Sequence, residues 1–309
     1  METLSLEQAK KAASADRYGL IPLTRELYAD AVTPVEVMRI LKNVSRHCYM
    51  LESAEDNKQW GRYTFLGYDP ALEITCHDGK VKIKNTLHTQ EHEGNPREYI
   101  RRILEENKSP VLEGLPPFTG GLVGYFSYDY MKYSEPSLKL DAEDTEGFQD
   151  VDLMLFDKVI AFDNYRQKLI LITGVRLDGD LEENYENAQR ELEEMERLIR
   201  SGAKAVFKPL KLEEEFQPGA EKAEYCRMVE KAKEYIREGD IFQVVLSNPL
   251  TAKAKGSLFD TYRVLRTSNP SPYMFYFSSD DIEVAGASPE TLAKLENGTV
   301  CTFPLAGTR

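Results

Sequence analysis

Asn269-Pro270-Ser271-Pro272-Tyr273-Met274-Phe275-Tyr276-Phe277 sets two prolines, which favour a turn, directly against an aromatic run suited to a strand. The chain continues through Asp281-Ile282-Glu283-Val284-Ala285-Gly286-Ala287-Ser288-Pro289-Glu290 and closes on Phe303-Pro304-Leu305-Ala306-Gly307-Thr308-Arg309. Between them, residues 292–295 and 299–303 flank Asn297-Gly298, two residues that tolerate the positive φ of a tight hairpin turn. Three or four sheet strands are therefore expected to converge here, with Ser288-Pro289-Glu290 and Gly307-Thr308-Arg309 as polar corners at strand ends. Gly-Thr-Arg offers backbone N–H groups, a hydroxyl and a guanidinium, the donor set that a planar carboxylate needs.

Upstream, residues 220–237 carry Tyr225, Val229, Ala232 and Ile236 at helical spacing, and Gly239 follows as a C-cap. Residues 241–247 are dense in apolar side chains and predict a strand buried on both faces. Residues 201–219 hold Lys, Glu, Gly and two prolines with few large apolar groups, a composition that suits a linker. Before it, Leu181, Tyr185, Ala188, Leu192, Met195 and Ile199 form one stripe of a surface helix, with a coiled coil as the lesser reading.

The first half reads as helices over 4–13, 34–41 (with Pro34 at its first position) and 98–106, and as strands over 20–27, 46–53, 63–67, 71–76 and 80–87. Residues 151–164 and 167–174 predict a hairpin around Asn164-Tyr165-Arg166. Antiparallel sheets follow from this succession. Residues 109–118 and 133–149 read as loops, as do residues 86–96, where His88 and His92 stand four apart without a further ligand nearby. The glycines of residues 120–129 lack the Gly-Lys-Ser/Thr ending of a phosphate loop, so close packing of a strand accounts for them better.

A net charge of −13 over 309 residues, without clustered Lys and Arg, argues against a nucleic-acid or anionic-membrane partner. Met1-Glu2-Thr3-Leu4-Ser5 has no basic region ahead of an apolar one, and no apolar run reaches membrane-spanning length, so a cytoplasmic protein is expected. Cys48, Cys76, Cys226 and Cys301 are far apart and read as reduced, small core residues rather than zinc ligands or disulfides.

Residues 239–247, 269–275, 287–290 and 304–309, in that order, resemble the chorismate-binding enzyme family. This family includes component I of anthranilate synthase and of aminodeoxychorismate synthase, and the isochorismate and salicylate synthases. Met50-Leu51-Glu52-Ser53 and residues 61–67 extend the resemblance into the first half. It implies an α+β fold of largely antiparallel sheets packed with helices, here truncated. Its parts would be an N-terminal region over 1–200, a linker over 201–219, and the first part of a chorismate-binding domain over 220–309. The family's catalytic histidine and magnesium-binding glutamates are expected beyond Arg309, leaving no catalytic or metal residue to assign here and an isolated 309-residue chain inactive.

The same resemblance implies that Glu290, Gly307 and Thr308 contact chorismate, with Asp240 and Gln243 behind them. It also implies that Glu52 and Ser53, together with Pro272, Tyr273 and Met274, form a tryptophan feedback site. From the residues alone Glu52-Ser53 reads first as a strand end, while a strand core is the lesser reading of Pro272-Tyr273-Met274 and a solvated carboxylate an even alternative for Glu290. Ala306 stands where a lysine is found in many aminodeoxychorismate synthases and in isochorismate-type enzymes. An alanine can neither attack the ring nor act as base. The preferred reading is therefore anthranilate synthase chemistry: chorismate and ammonia, the latter from a glutamine amidotransferase subunit, giving anthranilate and pyruvate with Mg2+. Some aminodeoxychorismate synthases lack that lysine too, so their activity stays open as the alternative, as does a fragment that only binds a ligand or partner.

Overall fold

The computed structural model describes residues 4–14, 17–54, 61–135, 137–140, 144 and 146–304. Helix α1 (Leu6–Ala13) begins at Ser5, whose hydroxyl accepts from the Gln8 N–H while the Gln8 side chain accepts from the Ser5 N–H. Strand β1 (Leu20–Tyr28) leads to α2 (Pro34–Val44), capped by Thr33 with Pro34 at its first position. Then come β2 (Cys48–Glu52), β3 (Tyr63–Tyr68), β4 (Leu72–His77), β5 (Lys80–Asn85), β6 (Thr89–Glu93), α3 (Pro96–Glu106), β7 (Gly121–Phe126) and a 3-10 turn (Tyr128–Tyr133). Strands β8 (Val151–Phe156), β9 (Val159–Asp163) and β10 (Lys168–Arg176) precede α4 (Leu181–Ser201). The rest comprises β11 (Lys211–Leu212), β12 (Gln217–Pro218), α5 (Lys222–Glu238), β13 (Leu250–Thr251), β14 (Ala254–Lys255), α6 (Phe259–Ser268), β15 (Tyr273–Ser278), β16 (Glu283–Ser288), β17 (Thr291–Glu296) and β18 (Thr299–Phe303).

Two antiparallel sheets carry the fold. The larger has seven strands in the order β1-β10-β9-β3-β2-β15-β16, and the smaller has five in the order β6-β5-β4-β8-β7. One face of the seven-stranded sheet, with Leu23, Met50, Leu66, Ile160, Leu171, Met274 and Tyr276, is covered by apolar side chains of α1, α2, α4 and α6. Its other face meets the five-stranded sheet in a seam built from Tyr49, Met154, Phe156 and Phe277. The outer face of the five-stranded sheet rests on Ile103 of α3 and on the tyrosines of the 3-10 turn. The expected antiparallel α+β architecture is thus the observed one. Gly286 shows how closely β15 and β16 pack, since a Cβ there would lie 2.2 Å from the ring of Phe275, its partner across the ladder.

Several expectations are corrected. Residues 151–164 form two strands rather than one, because Asp157-Lys158 interrupts the apolar run and the chain changes sheet there. Strand β8 pairs with β4 and β7, whereas β9 pairs with β3 and β10. Residues 86–96 are not a loop throughout. The Asn85 side chain accepts from the N–H groups of Leu87 and His88, which turns the chain back as β6 against β5. His92 on that strand stacks on Tyr99 at 4.8 Å, away from His88.

Residues 241–247 are not a buried strand, since no other segment pairs with them among the described residues. Phe242 is 99% and Val245 85% exposed. The apolar stripe of α5 is only partly covered: Tyr225, Val229 and Ala232 are half-buried, Ile236 is exposed, and no residue of the helix is buried. Accordingly only Cys48 and Cys76 are core cysteines; Cys226, on α5, is exposed and Cys301, on β18, is half-buried. The Asn297-Gly298 hairpin forms as expected, with both residues at positive φ, but β17 and β18 make a ribbon apart from the large sheets.

In the seam, the Tyr49 hydroxyl is buried with no hydrogen-bond partner among the described residues, and burial raises its pKa. Tyr49→Phe keeps the ring and deletes the unpaired group, so it should leave stability unchanged or raise it by about 1 kcal/mol. Urea denaturation of the full-length protein checks this, and a clear loss of stability would reveal a partner for the hydroxyl.

Candidate functional site

Strand β2 ends at Glu52, and β15 begins beside it. Their antiparallel ladder sets Glu52 opposite Met274 and Leu51 opposite Phe275, and the Ala54 N–H donates to the Ser271 carbonyl at 3.0 Å. The two blocks of the expected inhibitor site, Glu52-Ser53 and Pro272-Tyr273-Met274, are therefore brought together by backbone pairing. Met274 is buried, and its sulfur accepts from the Ser271 hydroxyl at 3.3 Å. The Tyr273 hydroxyl shares a hydrogen bond with Thr291 of β17.

Two residues that the sequence reading passed over complete this corner. Tyr262 and Arg266, one turn apart on α6, both reach Glu52. The Tyr262 hydroxyl donates to Oε1 at 2.6 Å, while Arg266 donates through Nε to Oε1 at 2.7 Å and through Nη2 to Oε2 at 2.6 Å. This bidentate pair joins residues 214 positions apart. The Glu52 hydrogen bond raises the Arg266 pKa against the effect of burial, and burial followed by the Glu52 charge raises that of Tyr262. The signal was available as Tyr262 and Arg266 at i, i+4 on one face of a short amphipathic segment. Among the described residues these bonds fill three of about four acceptor positions on Glu52.

A second carboxylate sits at the other end of the same helix. Glu283 of β16 accepts from the Leu258 N–H at 2.7 Å, from the Ser257 hydroxyl at 3.0 Å, from the Tyr276 hydroxyl at 2.6 Å and from Lys42 at 2.9 Å. Lys42 comes from α2, its ammonium 4.9 Å from the Tyr276 ring centroid. Burial raises the Glu283 pKa, but the Tyr276, Lys42 and Leu258 hydrogen bonds outweigh it, so the net shift is downward. Carboxylates at both ends therefore hold α6 against the sheet.

Of the expected chorismate contacts, Glu290 is exposed at the turn between β16 and β17, its N–H donating to Ser288 Oγ at 3.4 Å. It lies just past the Tyr273–Ser288 pair and so borders the same corner. Gly307 and Thr308, with Ala306 and Arg309, lie outside the described residues. Asp240 and Gln243 are exposed at and beyond the end of α5, and among the described residues no hydrogen bond joins them to the Glu52 corner. Among the described residues, no group of three or more His, Cys, Asp or Glu side chains is placed to hold a metal ion. No described helix is long and apolar enough to cross a membrane.

A family model described as chorismate binding enzyme matches residues 46–309. Anthranilate synthase component 1 of Acetivibrio thermocellus is 38% identical over 303 residues, covering 96% of this chain and 61% of that protein. Its counterpart from Acinetobacter calcoaceticus is 37% identical over 317 residues, covering 99% and 63%. The chain thus spans a little over six-tenths of the length of these relatives. Among solved structures, anthranilate synthase component I from Streptococcus pneumoniae TIGR4 superposes with a TM-score of 0.62 at 30% identity, over 77% of this chain and 53% of that one. The menaquinone-specific isochorismate synthase MenF from Escherichia coli, at 14% identity and a TM-score of 0.50 over 93% and 55%, shares the fold.

Removing Arg266 leaves Glu52, whose side chain is 8% exposed, with Tyr262 as its remaining side-chain donor among the described residues. Arg266→Met should therefore cost about 1.5–3 kcal/mol, the range for a hydrogen bond to a charged group. Glu52→Gln combined with Arg266→Met should cost less than the two single changes added together. A denaturation cycle over the four proteins reads the coupling, and strict additivity would mean that the pair contributes nothing.

Proposed function

The chain belongs to the chorismate binding enzyme family, and from that membership we propose that the full-length protein acts as component I of an anthranilate synthase. In this reading ammonia from a glutamine amidotransferase subunit adds to chorismate at C2 with loss of the C4 hydroxyl, and elimination of pyruvate then leaves anthranilate. Glu290, Gly307 and Thr308 would contact the substrate. Thr308 and the Gly307 backbone supply the hydroxyl and N–H donors that a carboxylate accepts. Magnesium would offset the charge of a substrate carboxylate, through ligands outside this chain. Ala306, which can neither attack nor take a proton, favours this chemistry over one that needs an amine on the enzyme. A cytoplasmic location belongs to the same proposal.

The observation that best supports a regulated enzyme is the meeting of Glu52-Ser53 with Pro272-Tyr273-Met274 across the β2–β15 ladder. We propose tryptophan as the ligand of this corner. An ammonium can donate to Glu52 Oε2, which accepts one hydrogen bond among the described residues, and an indole can lie against Tyr273 and Met274. Because Arg266 already neutralises Glu52, the site would recognise the ammonium by hydrogen-bond geometry more than by net charge.

Full-length protein given chorismate and ammonia should accumulate fluorescent anthranilate. Formation instead of a product that yields 4-aminobenzoate only after a lyase is added would move the assignment to aminodeoxychorismate synthase. Ser53→Phe, which fills the inhibitor space, should abolish tryptophan inhibition and leave the ammonia-dependent rate within about twofold. Parallel loss of rate and inhibition would remove the case for a separate regulatory site.

A further inference from the structure

The seam between the two sheets is apolar along Tyr49, Met154, Phe156 and Phe277, but it turns acidic where the β15–β16 turn crosses the five-stranded sheet. There a cavity of about 270 Å3 is lined by Glu73 of β4, Lys82 and Lys84 of β5, Asp152 of β8, and Asp280 and Asp281 of the turn. Four carboxylates thus face two ammonium groups, and Lys84 is already engaged with Asp280 at 2.9 Å. His47 Nε2 lies 3.7 Å from both Glu73 and Asp280. Behind the cavity, on β7, the Tyr125 hydroxyl stays neutral, its pKa pushed up to about 12 by burial first and then by the Asp152 charge.

Asp152 forms the inner wall. It is only 2% exposed, and its Oδ1 has no hydrogen-bond partner among the described residues. A buried carboxylate oxygen without a donor is costly, so the site calls for a proton, a water or a cation. Burial, followed by the charges of Glu73 and Asp281, pushes Asp152 up to about 7, so near neutrality it alternates between the two forms. Metal coordination matches poorly, because these carboxylates do not converge as a ligand set. An alkylammonium ion carries several N–H donors that can reach groups spread over separate walls.

We propose that this cavity binds a small organic ammonium ion, a primary amine or short diamine, with Asp152 as its buried anchor and Glu73 and Asp281 at its flanks. The occupant would tie β4 and β8 of one sheet to the β15–β16 turn of the other. The proposal is independent of the chorismate chemistry, because none of these residues belongs to the Glu52 corner.

Titrating full-length protein with putrescine, with tetramethylammonium at matched ionic strength as the donor-free control, tests it by calorimetry and by Tm. Saturable binding and a raised Tm are expected for putrescine at pH 8, and neither for tetramethylammonium. A pKa of about 7 leaves roughly a tenth of Asp152 ionised at pH 6, so the apparent Kd there should be about tenfold weaker. Asp152→Asn should abolish binding, and Asp281→Asn, at the exposed rim, should weaken it severalfold with the fold unaffected. Equal responses to the two amines, no saturable binding at pH 8, or Asp281→Asn indistinguishable from the parent protein would overturn the proposal. Asp152 would then satisfy its burial with a proton or water alone.

Discussion

The ladder between β2 and β15 is the constraint from which most of this structure follows. It aligns residues 48–52 with residues 274–278, so one sheet is built from both ends of the chain. Once that register is set, Met274 and Tyr276 must face the helices while Phe277 faces the seam, because side chains alternate along a strand. A slip of one residue would exchange those faces and carry Glu52 away from Arg266. Register and charge pairing therefore enforce the same answer, a consistency expected where a single fold is specified.

Helix α6 depends on this arrangement at both ends. Its first turn receives Glu283, close to N–H groups that favour a negative charge, and its last turn presents Arg266 to Glu52. Phe259 and Tyr262 fill the space between, packing on Tyr276 at ring separations of 5.2 and 5.9 Å. Anything that alters the hydrogen bonding of Glu52 acts on this helix, and so on the turn of residues 269–272 that follows it. The proposed regulatory corner and the helix are thus parts of one mechanical unit.

Much of this was legible from residue patterns. Thr33-Pro34 gave a helix start, Gly239 a left-handed C-cap at φ 85° and Asn297-Gly298 a hairpin, because each depends on local backbone preference. The stripe on α4 was legible because a helix on a sheet needs one apolar face. Less was legible where partners decide the outcome. The change of sheet at Asp157-Lys158 sits within an apolar run that suits either sheet, and only the two charges mark it. Residues 241–247 have the composition of a buried strand but no ladder to join among the described residues. At the corner, the resemblance pointed to Glu52 and Met274; Tyr262 and Arg266 stand four apart in the sequence, but their shared partner Glu52 is set only once α6 is laid against β2.

The sheet order also fixes a sequence of events during synthesis. β2 can pair with β3 once both have emerged, but the native partner of its other edge, β15, lies more than 200 residues later in the chain. Throughout that interval Glu52 lacks Arg266, and the apolar residues destined to meet β15 face water. Such an edge is an invitation to foreign strands, and the remoteness of its proper partner slows closure. A nascent chain of this protein therefore has a long window in which a chaperone, or crowding by its own unfinished copies, governs how much of it matures.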